Sequence, residues 1–191
     1  MRAMVLTRPG LALQPCVRPD PQPADNQILI KVHACGVCRT DLHIVDGELT
    51  GGTRPIVPGH EIVGTIIERG KTADRWPVGT RVGVPWLAAV CGHCSFCRNG
   101  QENLCDQARY TGYDIDGGYA DMVLADPDFC VQIPNNYSDA NAAPLSGRAT
   151  PRPPARSRST PRSFLHPSVN SSRWRCARCA RAASWSAPAC T

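Results

Sequence analysis

The sequence predicts a mainly β fold, a small and partly open barrel with a metal-binding lobe and few, short helices. Three observations lead there. Short stretches of strand character recur between Gly- and Pro-bearing turns, and only two segments read as helical. Four cysteines also crowd into the pattern Cys91-x2-Cys94-x2-Cys97-x7-Cys105. That spacing lets the backbone turn so that four sulfurs converge on one zinc ion, each at about 2.3 Å. The alternative is two disulfides of a secreted domain, and nothing else in the chain looks secreted.

The first strand is expected to start at residues 4–7. Residues 19–26, rich in Pro, Asp and Gln, form a loop before a strand at 28–32, where Ile28, Ile30 and Val32 share a face. Further strands are expected at 62–68 and at 81–84, the latter entered through Pro77-Val78-Gly79. Gly117-Gly118 precedes one at 119–124, and the turn at Asp126-Pro127 precedes one at 129–133. The helical candidates are 39–45, ended by Asp46-Gly47, and a segment beginning near Ser138-Asp139. There is no internal repeat.

Charge divides the chain. All 16 acidic residues lie between Asp20 and Asp139, whereas residues 147–191 hold nine Arg, no Lys and no acid. Arg, Ala, Ser and Pro supply 31 of those 45 residues, too few apolar groups to offset the entropy of ordering. The expected division is therefore a folded domain at 1–145 and a disordered tail at 146–191, whose abrupt composition suggests an out-of-frame or misassembled continuation. A basic tail beside a Cys-rich lobe raises a nucleic-acid reading. The acidic front part and the lack of aromatics among the tail arginines weigh against a specific nucleic-acid partner. The N-terminus has no long apolar core, and no run is long enough to span a membrane, so a cytoplasmic protein without membrane association is expected. In that setting the 11 cysteines read as metal ligands and small buried residues rather than as bridges.

A second constellation lies between the strands at 28–32 and 62–68. Cys35-Gly-Val-Cys38-Arg-Thr40-Asp41-Leu-His43 opens the first helix, and Pro58-Gly-His60-Glu61 enters a strand. A thiolate and an imidazole on separate elements can share an ion that keeps an open position. Alone, a cysteine in an apolar segment is ordinarily core packing, and a histidine before a strand is ordinarily a turn residue.

Taken in order, Gly-Val-Cys-Arg-Thr-Asp-Leu-His43, Gly-His-Glu-Ile-Val-Gly64, the four-cysteine lobe ending Glu-Asn-Leu-Cys105, and Gly-Gly-Tyr-Ala120 resemble the zinc-dependent medium-chain alcohol dehydrogenases. The resemblance covers residues 1 to about 145. It implies a GroES-like catalytic barrel followed by a Rossmann domain for NAD or NADP, acting on a small alcohol or aldehyde. Residue by residue, it implies Cys38 and His60 as catalytic-zinc ligands and Glu61 as the carboxylate that approaches the metal. It implies Thr40 as the hydroxyl that bonds the substrate alcohol and His43 as the solvent end of a proton relay. Cys91, Cys94, Cys97 and Cys105 correspond to the structural-zinc ligands. Zinc would act as a Lewis acid on the substrate oxygen, the Thr40 hydroxyl can donate and accept at once, and hydride would pass to the nicotinamide. The competing reading of Thr40 is a helix N-cap, and Asp41 is expected to support the site or cap the helix rather than act as a base. Trp86 either lines the cleft or fills the core.

The sequence also departs from the family. The family continues past the match to Pro144-Leu145 into a third catalytic-zinc cysteine, but no cysteine follows here before Cys176. The catalytic-zinc site is therefore expected to be incomplete, with Cys38 and His60 holding metal poorly and the four-cysteine lobe holding it tightly. No glycine follows Gly147, so no Gly-rich phosphate loop is written downstream, and the family's Rossmann domain is expected to be absent. Two readings result. One is a zinc-dependent alcohol dehydrogenase present as a truncated catalytic domain, inactive by itself. The other is a catalytically silent zinc-binding module without a cofactor site. The resemblance also implies oligomers in the family, formed largely through the Rossmann domain that is expected to be absent here, so no oligomeric state is expected from it for this chain.

Overall fold

The computed structural model describes residues 1–49, 51–52 and 54–146. The expected tail, Ser146 excepted, lies outside the described residues.

Among the described residues, nine strands and three α-helices follow in chain order. β1 (Arg2–Val5) and β2 (Gln14–Val17) form an antiparallel ribbon, and β3 (Ile28–Gly36) leads into α1 (Arg39–Asp46). β4 (Glu61–Arg69) and β5 (Arg81–Val84) follow, then β6 (Leu87–Ala89), the single turn α2 (Ser95–Arg98) and β7 (Arg109–Tyr110). β8 (Met122–Ala125), β9 (Val131–Gln132) and α3 (Asp139–Ser146) complete the order. The central sheet has five antiparallel strands in the order β8-β3-β4-β5-β9, and β6 pairs with β7 in a second ribbon. The β1–β2 ribbon curls onto the central sheet through the bridge Ala3↔Ala120 and the bond from the Asp121 amide to the Arg2 carbonyl. The mainly β expectation therefore holds.

The central core follows from alternation. Ile28, Ile30, Ile62, Ile66 and Val82 are fully buried on one face of the sheet. Each such isoleucine contributes about 1.5–3 kcal/mol relative to an exposed one. On the other face, Val63 meets Ile133, Ala142 and Ala143, so β4 is covered on both sides once α3 packs across it. A smaller cluster of Leu6, Ile44 and Ile56, flanked by Trp86 and Tyr113, sits under α1.

Element boundaries differ from expectation for local reasons. β1 begins two residues early because Arg2 and Ala3 pair with Val17 and Cys16. β3 runs past Val32 to Gly36 by absorbing an irregularity between Val32 and Ala34. The expected strand at 119–124 regularises only from Met122 to Ala125, and part of 129–133 is taken by a 3₁₀ turn at Pro127–Phe129. α3 begins as expected, with the Ser138 hydroxyl accepting the Asn141 amide at 3.3 Å, and runs through Ser146, which is buried. Seven described cysteines are free thiols, and Cys16 is disulfide-bonded.

Candidate functional site

Strand register places the first constellation. β3 and β4 pair antiparallel with Gly36 opposite Glu61 and Cys35 opposite Ile62. The chain two residues beyond Gly36 and the residue just before Glu61 therefore emerge at the same end of the ladder. There Cys38, His60 and Glu61 come together, with one donor atom from each lying within 4.8 Å of the others. A Cβ on Gly36 would overlap the Glu61 carboxylate, so the glycine makes room for that third donor.

Cys38 is the N-cap of α1, in extended conformation at φ −103°. Thr40 is the second residue of the helix, two after the cap, so it is not the N-cap. Its hydroxyl lies 3.8 Å from Cys38 Sγ, beside the donor cluster. His43 is three residues further along α1, a spacing that puts the two side chains on neighbouring helix positions. It stands half-exposed at the rim, where its Nδ1 is in contact with Glu48 Oε2.

Asp41 is 2% exposed and serves both ligand-bearing segments. Its Oδ2 accepts the Cys38 amide at 2.8 Å and its Oδ1 accepts the Gly59 amide at 3.2 Å. The same Oδ1 is 3.2 Å from His60 Nδ1, but off the line of a hydrogen bond, so the imidazole is within ion-pair distance without a bond of good geometry. The expectation that Asp41 supports the site or caps the helix is met in the capping contact with the Cys38 amide. Burial, with the Asp41 charge second, pushes the Cys35 thiol and the Tyr119 hydroxyl well above their ordinary values, so both are neutral beside the site. Trp86 combines its two readings. It stacks on Tyr110 at 4.8 Å, meets His60 edge-on at 4.8 Å, and packs against the small cluster under α1.

The second constellation is the lobe between β6 and β7. Cys91, Cys94, Cys97 and Cys105 bring their sulfurs within 4.8 Å of one another, with Cys94···Cys97 at 3.5 Å and Cys91···Cys97 at 3.9 Å. A tetrahedron with bonds of about 2.3 Å has an edge of about 3.8 Å, a spacing that the Cys94···Cys97 and Cys91···Cys97 pairs approach. Backbone amides face them as well. The Cys94 amide donates to Cys91 Sγ at 3.3 Å, that of Cys97 to Cys94 Sγ at 3.5 Å, and that of Gln107 to Cys105 Sγ at 3.4 Å. The amides of His93 and Cys94 pull the Cys91 thiol down to about 6, while desolvation and the neighbouring Cys94 thiol push Cys97 up to about 12. Four cysteine sulfurs in one cluster are a donor set that suits zinc.

Two neighbours of the site escaped the sequence reading. Tyr119, whose hydroxyl reaches the Gly36 carbonyl at 3.4 Å, lies in the Gly-Gly-Tyr-Ala run that had been noted without a role. Glu48 could have been found from the acid that directly follows the Gly47 helix stop. The sequence-expected site residues themselves fall into two groups: Cys38, Thr40, Glu61 and His60 together with His43 at the rim, and the four lobe cysteines.

Comparison with known proteins gives the same direction. The family model described as the alcohol dehydrogenase GroES-like domain matches residues 24–135. An alcohol dehydrogenase of Rhizobium meliloti is 46% identical over 128 residues, covering 66% of this chain and 38% of the relative. One from Geobacillus stearothermophilus is 42% identical over 146 residues, covering 76% of this chain and 43% of the relative. This chain thus spans about two fifths of the length of these relatives. Among solved structures, the cobalt- and zinc-bound thermostable alcohol dehydrogenase from Pyrobaculum aerophilum superposes with a TM-score of 0.70 at 29% identity, over 76% of this chain and 44% of that one. Among the described residues no helix is long and apolar enough to cross a membrane. With more than half of its residues matched, the chain belongs to the alcohol dehydrogenase family through its GroES-like domain.

Proposed function

We propose that this chain is the catalytic barrel of a zinc-dependent alcohol dehydrogenase that interconverts a small alcohol and its aldehyde or ketone, with NAD or NADP as hydride carrier in the complete enzyme. The observation that carries this is the convergence of Cys38, His60 and Glu61 within 4.8 Å, next to the Thr40 hydroxyl. A thiolate, an imidazole and a carboxylate are a donor set suited to a catalytic zinc, three protein ligands leaving a position for substrate. Bound zinc would supply Lewis-acid polarisation of the substrate oxygen.

The residues around it divide the remaining work. Asp41 lies 3.2 Å from Nδ1 of His60, which leaves Nε2 as the nitrogen free to face a metal. The Thr40 hydroxyl accepts the alcohol proton and donates its own onward. His43 takes that proton at the rim and releases it to water. Trp86, edge-on to His60, gives the substrate an apolar wall. Cys91, Cys94, Cys97 and Cys105 would hold a second zinc, which would order the lobe.

The second reading is a zinc module that turns nothing over by itself, since the chain spans only about two fifths of the length of its alcohol dehydrogenase relatives. Two measurements test the pair. Cobalt added to the full 191-residue chain should give thiolate charge-transfer bands from both clusters. Those of the Cys38 site should shift on adding a short primary alcohol and disappear in Cys38→Ser. Cobalt confined to the four-cysteine lobe would overturn the dehydrogenase reading. Zinc-loaded chain mixed with NAD or NADP and short alcohols should show no nicotinamide reduction; turnover would retire the silent-module reading.

A further inference from the structure

The end of α1 brings a carboxylate onto His43. Gly47 adopts the left-handed conformation at φ +81°, and the Gly47 and Glu48 amides turn back onto the carbonyls of Ile44 at 3.3 Å and His43 at 2.9 Å. This double closure folds the chain over the last helical turn, so that the side chain five positions after His43 returns to it. Glu48 Oε2 thereby contacts His43 Nδ1. A carboxylate at neutral pH only accepts, so the contact is a hydrogen bond only when the imidazole carries a proton on Nδ1.

We infer that Glu48 is a positioning residue for His43. It holds the imidazole as the Nδ1–H tautomer and leaves the Nε2 lone pair as the acceptor for the proton passed on from Thr40. The inference rests on the relay role proposed above for Thr40 and His43. When Nε2 takes up that proton, the imidazolium forms against the same carboxylate. The Nε2–H then breaks toward water, which restores the starting tautomer without moving the Nδ1 proton. Exposure rises outward, from half-buried Thr40 to 33% for the His43 side chain and 54% for that of Glu48. A pair so exposed contributes little to stability. Its consequence is the choice of ring nitrogen, which a surface ion pair without a role in proton transfer has no need to fix.

The test reads that choice directly. Long-range proton–nitrogen spectra of the zinc-loaded 191-residue chain, labelled at histidine, report the tautomer of each ring, and the signal lost in His43→Gln identifies His43. The parent should show mainly Nδ1–H. Glu48→Ala should move the ratio toward Nε2–H by up to about fivefold, the range that an exposed pair supports. Glu48→Gln, which keeps an acceptor oxygen, should stay on the parent's side. The ring of His33, on β3, serves as the control that the Ala variant is folded. A parent already in the Nε2–H form, or a Glu48→Ala ratio that does not move, overturns the inference. Cobalt binding at Cys38 and His60 on the same samples reads the proposed function separately: its loss with the tautomer intact retires that function and leaves the pairing standing.

Discussion

Asp41 Oδ1 and His60 Nδ1 face each other at 3.2 Å, on side chains that are 3% and 5% exposed. The same carboxylate holds the Cys38 and Gly59 amides, so one side chain ties together both segments that bear candidate ligands.

Removing it should therefore have two separable effects. Asp41→Ala leaves two largely buried amides without acceptors, at about 1–3 kcal/mol each. It also frees the His60 ring, and loss of a partner that orients a ligand typically lowers metal affinity by about 10- to 100-fold. Asp41→Asn, which keeps an acceptor oxygen, should recover most of the stability and little of the affinity. Denaturant unfolding and a chelator competition for the second metal equivalent check both, with the four-cysteine lobe retaining its metal in each variant.

Gly59 controls the approach of His60 from the other side. Its φ is +97°, and a Cβ there would lie 2.7 Å from the Tyr119 ring and 2.8 Å from Cys35 Sγ. Gly59→Ala should cost at least about 1–2 kcal/mol for the backbone conformation alone, before any clash is counted. Because Cys35 is held in β3 and the Tyr119 carbonyl accepts the Met4 amide of β1 at 2.8 Å, the displacement should fall mainly on the Pro58–His60 segment. Weakened cobalt binding at Cys38 and His60, with the lobe's charge-transfer bands unchanged, is the expected readout.

What the sequence could reveal of this depended on how local each signal was. Cys91 to Cys105 is legible because four ligands lie within one short segment, whose spacing alone brings the sulfurs together. Cys38 and His60 are 22 positions apart, and only the Gly36↔Glu61 register makes them neighbours, so the residues by themselves left each open to a bland reading. The hydrophobic alternation of Ile28, Ile30 and Ile62 to Ile66 marks the central strands. β2, β6 and β7 were invisible because two to four residues carry no period, and their pairing is decided by partners distant in sequence. Glu48 was missed for a related reason: its contact with His43 depends on a left-handed turn at Gly47, which reads in sequence only as a helix stop.

Metal removal should act locally. The lobe holds its sulfurs with backbone amides but has little apolar core, since no residue of α2 is buried. Structural zinc in small peptides supplies about 10–16 kcal/mol of binding free energy, enough to order such a segment. Chelation, or Cys97→Ser, should therefore release one zinc per chain and expose the amides of 91–105 to rapid hydrogen exchange. The amides of β3 and β4 should stay protected, since their core of Ile28, Ile30, Ile62 and Ile66 does not include the lobe.

A pH dependence separates the barrel's closure from its metal chemistry. Arg2 donates through Nε and Nη2 to the two Asp121 oxygens at 3.1 and 2.9 Å, and the Arg2 amide adds a bond at 2.8 Å. This pins the β1–β2 ribbon to the run into β8. The guanidinium bonds hold the Asp121 carboxyl below its ordinary value, against a smaller opposing effect of desolvation. A carboxyl depressed in the folded state binds fewer protons there than when unfolded, so its contribution is complete above the unfolded value of about 3.9 and disappears as pH falls through the folded one. Both side chains are well exposed, which limits the effect to about 1 kcal/mol or less. Asp121→Asn should accordingly be less stable than the parent near neutral pH by up to that amount. The two should converge as the pH drops below about 4. Paired urea titrations of parent and variant at matched pH measure this, and a gap that persisted or widened in acid would show that Asp121 acts through its shape rather than its charge.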